Sequence, residues 1–219
     1  MKKGLFVVFE GPDGAGTTTQ ARILKQHIQT DLGFDDVSLS REPGESEYGL
    51  LIRKVLMRET RTAPFQLAQL YVWDSLEHNE LELKPVRQRK GIAISDRYRP
   101  SSFAYQTTDG VSLDQVSELH EKEGDNLEIP DFTYFLDMDA EISMQRINGR
   151  HVSEGTSPEL FDRLEFQRKV RGNYLSLINS ELKYFGKVIL VDGTLPKEKV
   201  SQEVNRTFDE FYRQWASSD

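Results

Sequence analysis

The chain has 219 residues, no cysteine, and 28 basic against 36 acidic residues, for a formal net charge of −8. This length suits one domain with a sizeable core, and the absence of cysteine excludes disulfides, thiolate nucleophiles and thiolate metal sites. The acidic balance argues against a nucleic-acid or membrane-surface partner. Because no apolar run approaches the roughly 20 residues that span a bilayer, and the apolar run at the N-terminus is too short for a signal sequence, we expect a cytoplasmic protein.

Predicted strands and helices alternate along the chain, which indicates right-handed βαβ units and a mainly parallel five-stranded sheet flanked by helices. The predicted strands cover residues 5–9, 37–39, 92–94, 132–136 and 188–191. The predicted helices cover residues 17–32, 64–89 with a bend or end at Pro85, 112–123, 140–148, 158–184 and 196–215. We therefore expect a single α/β domain over residues 1–219, with ligands at the carboxyl ends of the strands.

A glycine-rich segment follows the first predicted strand and precedes a predicted helix. Gly11, Gly16 and Thr18 fit the phosphate-loop pattern G-x-x-x-x-G-K-[ST], but Thr17 stands where the pattern has lysine. Glycines let successive N–H groups converge on an anion, and the helix adds its positive N-terminal end. The candidate nucleotide-binding residues are Gly11, Pro12, Asp13, Gly14, Ala15, Gly16, Thr17, Thr18 and Thr19. For this segment alone, an ordinary strand-to-helix turn remains the alternative.

Further motifs follow the second and third predicted strands and start a long predicted helix. They read R-E-P-G at 41–44, D-R-Y-R-P-S-S-F-A-Y-Q at 96–106 and D-R-L-E at 162–165. Together with F-E-G-P-D-G-A-G-T-T-T-Q at 9–20, they resemble the thymidylate kinase (dTMP kinase) family of P-loop nucleoside monophosphate kinases. The resemblance implies a three-layer P-loop NTPase fold, transfer from ATP-Mg²⁺ to dTMP for dTTP synthesis, a mobile lid at about residues 146–163, and a homodimer.

Asp96, at the end of a predicted strand, is a candidate Mg²⁺ residue together with the hydroxyl of Thr18. A helix N-cap or a salt-bridge partner is the alternative for Asp96 alone. Arg97 and Arg41 also follow strands, where their guanidinium groups could clamp the acceptor monophosphate. The four histidines show no metal-ligand spacing and are interpreted as structural or surface groups.

The resemblance assigns the remaining acceptor-site roles. It implies that Asp13 bonds the deoxyribose hydroxyl and helps place the acceptor, that Tyr105 packs beneath the sugar, and that Tyr71 stacks on the base. An aromatic residue on an amphipathic helix is more often part of the core, so that alternative stays open for both tyrosines. The other candidate acceptor residues are Pro43, Ser101, Ser102 and Gln106.

The lid supplies candidate cations for the transferring phosphoryl group. Arg150 and Arg163 are candidate catalytic residues, alongside Asp13 and Arg97, and Arg146 is a candidate for the ATP site. Solvated basic residues are the alternative reading of this segment. Small residues between the two predicted helices indicate flexibility, namely Gly149, Ser153, Gly155, Thr156 and Ser157.

The sequence departs from the family pattern at Thr17, Glu45, Leu50 and Ser75. Ser75 replaces an arginine that contributes to reading the base, so a related deoxynucleoside monophosphate kinase with altered base specificity is an alternative. For Thr17 three explanations stand: lid arginines and Mg²⁺ compensate, the protein binds nucleotides with little turnover, or the substitution is engineered. Because the remaining catalytic set is intact, we expect an active enzyme.

Overall fold

The computed structural model describes residues 3–217, which form an α/β fold around one five-stranded sheet. All four strand pairs are parallel, and the strand order is β2-β3-β1-β4-β5. The strands are β1 Leu5–Glu10, β2 Val37–Arg41, β3 Ile92–Asp96, β4 Phe132–Asp137 and β5 Lys187–Asp192. The predicted fold class is confirmed, and each strand lies where an apolar run predicts one.

Helices cover both faces of this sheet. The α-helices are α1 Thr17–Thr30, α2 Glu47–Leu56, α3 Pro64–His78, α4 Lys84–Gln88, α5 Arg99–Thr108, α6 Leu113–Glu123, α7 Ala140–Glu154, α8 Leu164–Asn179 and α9 Lys197–Ala216. A π-helical turn spans Asn79–Leu83, and 3₁₀ turns span Gly124–Asn126 and Lys183–Phe185. None of the helices in the described range is long and apolar enough to cross a membrane.

The central strand β1 is buried along its whole length. Val7 and Phe9 join a cluster with apolar residues of α1 and α9, whereas Phe6 and Val8 pack with residues around α4 on the opposite face. This alternation is the two-residue period of a strand covered on both sides. In the parallel register, Asp96 lies beside both Phe9 and Arg41, so the motifs that follow β1, β2 and β3 meet at one edge.

Two helices near this edge were not predicted. Ser46 caps α2 by accepting a hydrogen bond from the backbone N–H of Gly49 at 2.8 Å. Pro100 lies in the first turn of α5, where proline needs no intrahelical N–H partner. Each of these helices has only 10 residues, which is shorter than the stretch over which an apolar period identifies a helix.

The predicted helix over residues 64–89 is interrupted before Pro85. Regular α-helix ends at His78, and the π-helical turn precedes α4, which carries Pro85 in its first turn. A proline ring clashes with the carbonyl four residues earlier and lacks an N–H, so the wider turn accommodates it. The prediction that Pro85 disturbs the helix is confirmed, but the disturbance begins six residues earlier.

The helix boundaries around the predicted lid need correction. Helix α7 runs to Glu154 and stops at Gly155, whose φ is 66°, so Gly149 and Ser153 lie in a helix and not in a loop. Residues 158–163, predicted as helix, form turns before α8. The carboxylate of Asp162 accepts a hydrogen bond from the backbone N–H of Glu159 at 2.7 Å, and this local bond replaces the helical pattern.

Candidate active site

The glycine-rich segment forms a tight loop between β1 and α1. Gly11, Gly14 and Gly16 have φ angles of 156°, 78° and 97°, which residues with a Cβ rarely adopt. A Cβ on Gly14 would lie 2.9 Å from the carbonyl oxygen of Ser143, so α7 packs directly on the loop backbone. Because the N-cap of α1 is Gly16, no capping side chain satisfies the first N–H groups, which stay available to an anion.

Thr18 and Asp96, the two predicted metal residues, are in direct contact. The Thr18 hydroxyl donates a hydrogen bond to Oδ2 of Asp96. Oδ1 of Asp96 is buried and has no hydrogen-bond partner in residues 3–217, which is costly unless a ligand completes the site. Hydroxyl and carboxylate oxygens are the donors that Mg²⁺ prefers, together with water and substrate phosphates. Among residues 3–217, no group of three or more acidic or histidine side chains is placed to hold a metal ion.

Thr17 leaves the loop without its own cation. It is only 6% exposed, at the start of α1. Arg146 of α7 approaches the loop from outside, with Nη1 3.5 Å from the carbonyl oxygen of Gly14 and 3.1 Å from that of Gly193. The structure therefore brings Arg146, one of the predicted donor-site residues, against the loop backbone.

Arg97 is held in a fixed position between the loop and α5. Its backbone has a φ of 73°, uncommon for a non-glycine residue and a mark of functional sites. Nη1 donates to the carbonyl oxygen of Gly11 at 2.9 Å and Nη2 to Oδ1 of Asp13 at 2.7 Å, while the guanidinium lies 5.2 Å from the ring centre of Tyr105. Burial alone would lower the pKa of Arg97, but Tyr105 and Asp13 hold that pKa well above its ordinary value, so the side chain remains a cation.

Asp13 is fixed from two sides, by Arg97 and by a residue that the sequence did not indicate. The amide of Gln167 donates to Oδ2 of Asp13 at 2.8 Å and accepts from the Asp13 backbone N–H at 3.1 Å. It also donates to the carbonyl oxygen of Phe161 at 3.1 Å. Gln167 is fully buried on the face of α8 that also carries Val170. A glutamine on an otherwise apolar helix face is the signal that could have revealed it.

Helix α5 presents the predicted acceptor residues in two groups. Ser101 donates its hydroxyl proton to Glu10 at 2.6 Å, so its side chain is bonded to the protein interior. The hydroxyl of Ser102 and both amide atoms of Gln106 are buried without a hydrogen-bond partner in residues 3–217. Such groups call for a polar ligand or water. Tyr105 is 7% exposed and packs 5.9 Å from Phe161, ring centre to ring centre.

The turn after β2 is fixed by α3. The carboxylate of Asp74 accepts a hydrogen bond from the backbone N–H of Gly44 at 2.8 Å, and the carbonyl oxygen of Pro43 accepts one from Arg53 at 2.9 Å. Arg41 is exposed beside Asp96 and forms no ion pair within the described range. The turn thus places the exposed Arg41 beside Asp96, one of the two predicted metal residues.

The Ser75 side chain is buried and bonded within the protein, so it is not available to read a base. Its hydroxyl donates to Oε2 of Glu42 at 2.8 Å, and the other oxygen of Glu42 lies 2.9 Å from Nδ1 of His78. All three side chains are buried. Tyr71, one turn earlier on α3, is partly buried; burial raises its pKa, and Asp13 acts in the same direction. The phenol of Tyr71 therefore stays neutral within electrostatic reach of the loop.

The two predicted lid arginines lie in different surroundings. Arg150 is exposed at the end of α7 and is near enough to Glu159 to lower its pKa, although burial, the largest effect, raises that pKa overall. The Arg163 guanidinium lies over the Phe166 ring, 5.3 Å from its centre. The structure thus places the Arg163 guanidinium against a residue of the helix that it precedes.

Arg163 lines an open groove of about 460 Å³ with Arg58 and Arg61. The turn beside it is held by Asp162, whose carboxylate lies 2.8 Å from Nε2 of His151. Residues 155–163 are therefore anchored to α7 by this hydrogen bond, while Arg163 remains exposed.

Comparison with known proteins agrees with this arrangement. The family model described as thymidylate kinase matches residues 9–204. Over 208 residues the chain is 34% identical to a thymidylate kinase of Leuconostoc mesenteroides, covering 91% of this chain and 92% of that protein. It is 33% identical to a probable thymidylate kinase of Pyrococcus abyssi, covering 92% and 94%, and 33% identical to a thymidylate kinase of a Nostoc species, covering 97% and 99%.

Proposed function

The chain belongs to the thymidylate kinase family, and we propose that it transfers the γ-phosphoryl group of ATP to dTMP, giving dTDP for dTTP synthesis. The observation that carries the proposal is that the segments after β1 and β3 contact each other at one edge of the sheet. There the Arg97–Asp13 ion pair contacts the same loop whose Thr18 is bonded to Asp96. A phosphate-binding loop, an acceptor clamp and a metal residue in one place are the requirements of phosphoryl transfer.

The donor site consists of the loop from Gly11 to Thr19, with Arg146 beside it for the adenosine end of ATP. The N–H groups of the loop and of the first turn of α1 bind the phosphates. Thr18 and Asp96 hold Mg²⁺, directly or through water, and Mg²⁺ when bound neutralises charge on the phosphate oxygens. The single domain of residues 1–219 carries both substrate sites.

The acceptor site lies between the loop, α3 and α5. Arg97 and Arg41 bind the dTMP phosphate, and Asp13 bonds the sugar hydroxyl and helps place the acceptor. Tyr105 packs beneath the sugar and Tyr71 against the base. Pro43, Ser102 and Gln106 complete the pocket, with Ser101 behind them. A monophosphate is already an anionic nucleophile, so positioning and charge stabilisation suffice without a general base.

Lid arginines substitute for the missing lysine. Arg150 and Arg163 are exposed and form no ion pair within the described residues, so closure of the lid, about residues 146–163, would bring them over the transferring phosphoryl group without breaking a salt bridge. Exposed arginines that move onto a phosphate provide the charge that the lysine supplies elsewhere.

We also propose a cytoplasmic homodimer whose partners are small nucleotides only. Helices α2 and α3 and the π-helical turn expose large apolar side chains on one surface. Tyr48 and Trp73 are 38% and 42% exposed with ring centres 5.5 Å apart, and Leu81 is 68% exposed. Such a patch typically marks a protein interface. Light scattering should give twice the mass of the chain, and Trp73→Glu should give the mass of one.

The test of the catalytic proposal is a coupled assay with ATP, Mg²⁺ and a panel of dTMP, dUMP, dCMP, dGMP and dAMP. We expect dTDP formation, and we expect Arg97→Ala to raise the KM for dTMP about tenfold or more while leaving the KM for ATP within about twofold. Arg213→Ala, at an exposed position of α9, is the control.

Nucleotide binding without any turnover would instead mean that Thr17 has removed catalysis. Equal rates across the pyrimidine nucleotides would favour the alternative of relaxed base specificity. The structural reason for that alternative is the hydrogen bond that the Ser75 hydroxyl donates to Glu42.

A further inference from the structure

Glu10 is a buried carboxylate next to the phosphate loop to which neither the motif nor the mechanism gives a role. It is the last residue of β1 and is fully buried. Its Oε1 accepts hydrogen bonds from the backbone N–H groups of Tyr98 at 2.9 Å and Ser101 at 3.3 Å. Its Oε2 accepts from the hydroxyls of Ser101 at 2.6 Å and Tyr174 at 2.7 Å. Four donors satisfy a charged group that would otherwise be expensive to bury.

The two hydroxyls that bond Glu10 are also the ones that bond Arg97. Nη1 of Arg97 lies 3.2 Å from the hydroxyl oxygen of Ser101 and 3.5 Å from that of Tyr174. Each hydroxyl has a single proton. When both protons point to a charged Glu10, the oxygen lone pairs are left for the guanidinium. With a neutral residue at this position, one of the two hydroxyls would be free to donate its proton to the other, since their oxygens lie only 2.8 Å apart.

We propose that Glu10 is a positioning residue for acceptor binding, which orients the Ser101 and Tyr174 hydroxyls so that their lone pairs hold Arg97 facing the acceptor phosphate. The proposal rests on the proposed role of Arg97 as the phosphate clamp. Four side chains, Glu10 of β1, Ser101 of α5, Tyr174 of α8 and Arg97, thus connect the interior to the site of the acceptor phosphate. Asp13 fixes the same guanidinium from the solvent side, through Nη2.

Charge coupling gives this role a measurable consequence. Burial raises the pKa of Glu10 to about 7, while Arg97, Ser101, Tyr174 and Tyr98 act to lower it. The ionisable or charged groups around it are Arg97 and Tyr98 from the β3–α5 turn, Tyr105 of α5 and Tyr174 of α8, with Asp13 beyond Arg97. A phosphate that draws on the charge of Arg97 weakens its stabilisation of the Glu10 carboxylate. Acceptor binding should therefore be accompanied by proton uptake at Glu10 near neutral pH.

The experiment measures dTMP binding by titration calorimetry at about pH 7 in two buffers of different ionisation enthalpy. Wild type and Glu10→Gln are compared, with Glu118→Gln, an exposed residue of α6, as the matched control. We expect Glu10→Gln to weaken dTMP binding about tenfold, to leave ATP binding within about twofold, and to take up less proton than wild type. The dTMP phosphate titrates in both proteins, so the difference between them reports Glu10.

A folded Glu10→Gln protein with unchanged dTMP affinity and unchanged proton uptake would overturn the proposal. If Glu10→Gln does not fold, Tyr174→Phe decides. That variant should weaken dTMP binding several-fold and leave ATP binding unchanged, and equal weakening of both ligands would mean a merely structural role. Failure of the proposed acceptor site is distinguishable, because wild type itself would then not bind dTMP, and failure of catalysis alone shows in the coupled assay as dTMP binding without dTDP formation.

Discussion

Nη2 of Arg97 lies 2.7 Å from Oδ1 of Asp13, so the cation proposed to bind the acceptor phosphate is already paired with a carboxylate of the phosphate loop. This pair connects the end of β3 to the loop after β1. An ion pair that is only partly buried contributes little by itself, so the pair is better understood as a device that fixes the direction of the guanidinium.

Gln167 should control the position of Asp13. In Gln167→Met, the Asp13 backbone N–H and the Phe161 carbonyl lose a buried partner, which should lower the free energy of unfolding by about 1–3 kcal/mol. The KM for dTMP should rise about tenfold with a smaller change in the KM for ATP, measured by steady-state kinetics. Gln26→Met, exposed on α1, is the control; a KM for dTMP equal to that of the control would remove Gln167 from the site.

Thr17→Lys should reveal the compensation by lid arginines. We expect the substitution to raise kcat roughly tenfold or more, because it restores a preorganised cation on the loop. We also expect Arg150→Ala to lower kcat less in the Thr17→Lys background than in wild type, since the two cations serve the same charge. Thr30→Lys, at the opposite end of α1, controls for added charge. Strictly additive effects of the two changes would contradict a shared role.

His120 should make the protein less stable in acid. Burial, followed by the neighbouring Arg99, holds the pKa of His120 well below its ordinary 6.5. The unfolded chain therefore binds a proton that the folded chain refuses, and stability falls as pH decreases below about 6.5. In His120→Gln, the urea midpoint should change less than in wild type between about pH 7 and pH 5. Equal slopes for the two proteins would exclude this contribution.

His27 should act with the opposite sign. Burial by itself lowers its pKa, but hydrogen bonds to Asp209 and Asp31 outweigh that effect and raise the pKa above 6.5. The ring nitrogens lie 2.7 Å from Asp31 and 2.8 Å from Asp209, so the charged ring links α1 to α9. This stabilisation is complete below the unfolded pKa and is lost as pH rises through the folded pKa. The urea midpoint of His27→Gln should differ less between about pH 6 and pH 9 than the midpoint of wild type does. A larger difference would contradict the pairing.

The sequence allows the sheet and the loop to be predicted because both depend on local patterns. The apolar run of β1 is followed by Glu10-Gly11 and that of β3 by Ser95-Asp96, and these residues mark the predicted binding edge. Helices α2 and α5, of 10 residues each, escaped prediction because helices this short are stabilised mainly by tertiary packing, here through the fully buried Ile52 and Phe103. Helical propensity alone does not reveal such segments.

The network behind Arg97 could not be predicted for a different reason. Glu10 and Tyr174 are 164 positions apart in the chain, and neither has a pattern that identifies its partner. Motif order predicts that Arg97 and Asp13 lie at one edge, since each follows a strand. Which hydroxyl each of them contacts depends on the packing of α5 against α8, which only the structure supplies.

The interruption of α3 at Asn79 has a consequence for how the molecule opens. The Asn79 side chain bonds the Tyr98 hydroxyl at 2.6 Å and the backbone N–H of Glu128 at 2.8 Å, and the Tyr98 hydroxyl bonds the Glu128 carbonyl at 3.0 Å. This closed triangle ties the π-helical turn to the start of α5 and to the segment before β4. We expect its members to separate together, so that their amide protons exchange with solvent as one cooperative unit. Helices α3 and α5, which flank the proposed acceptor pocket, should therefore open in a single event.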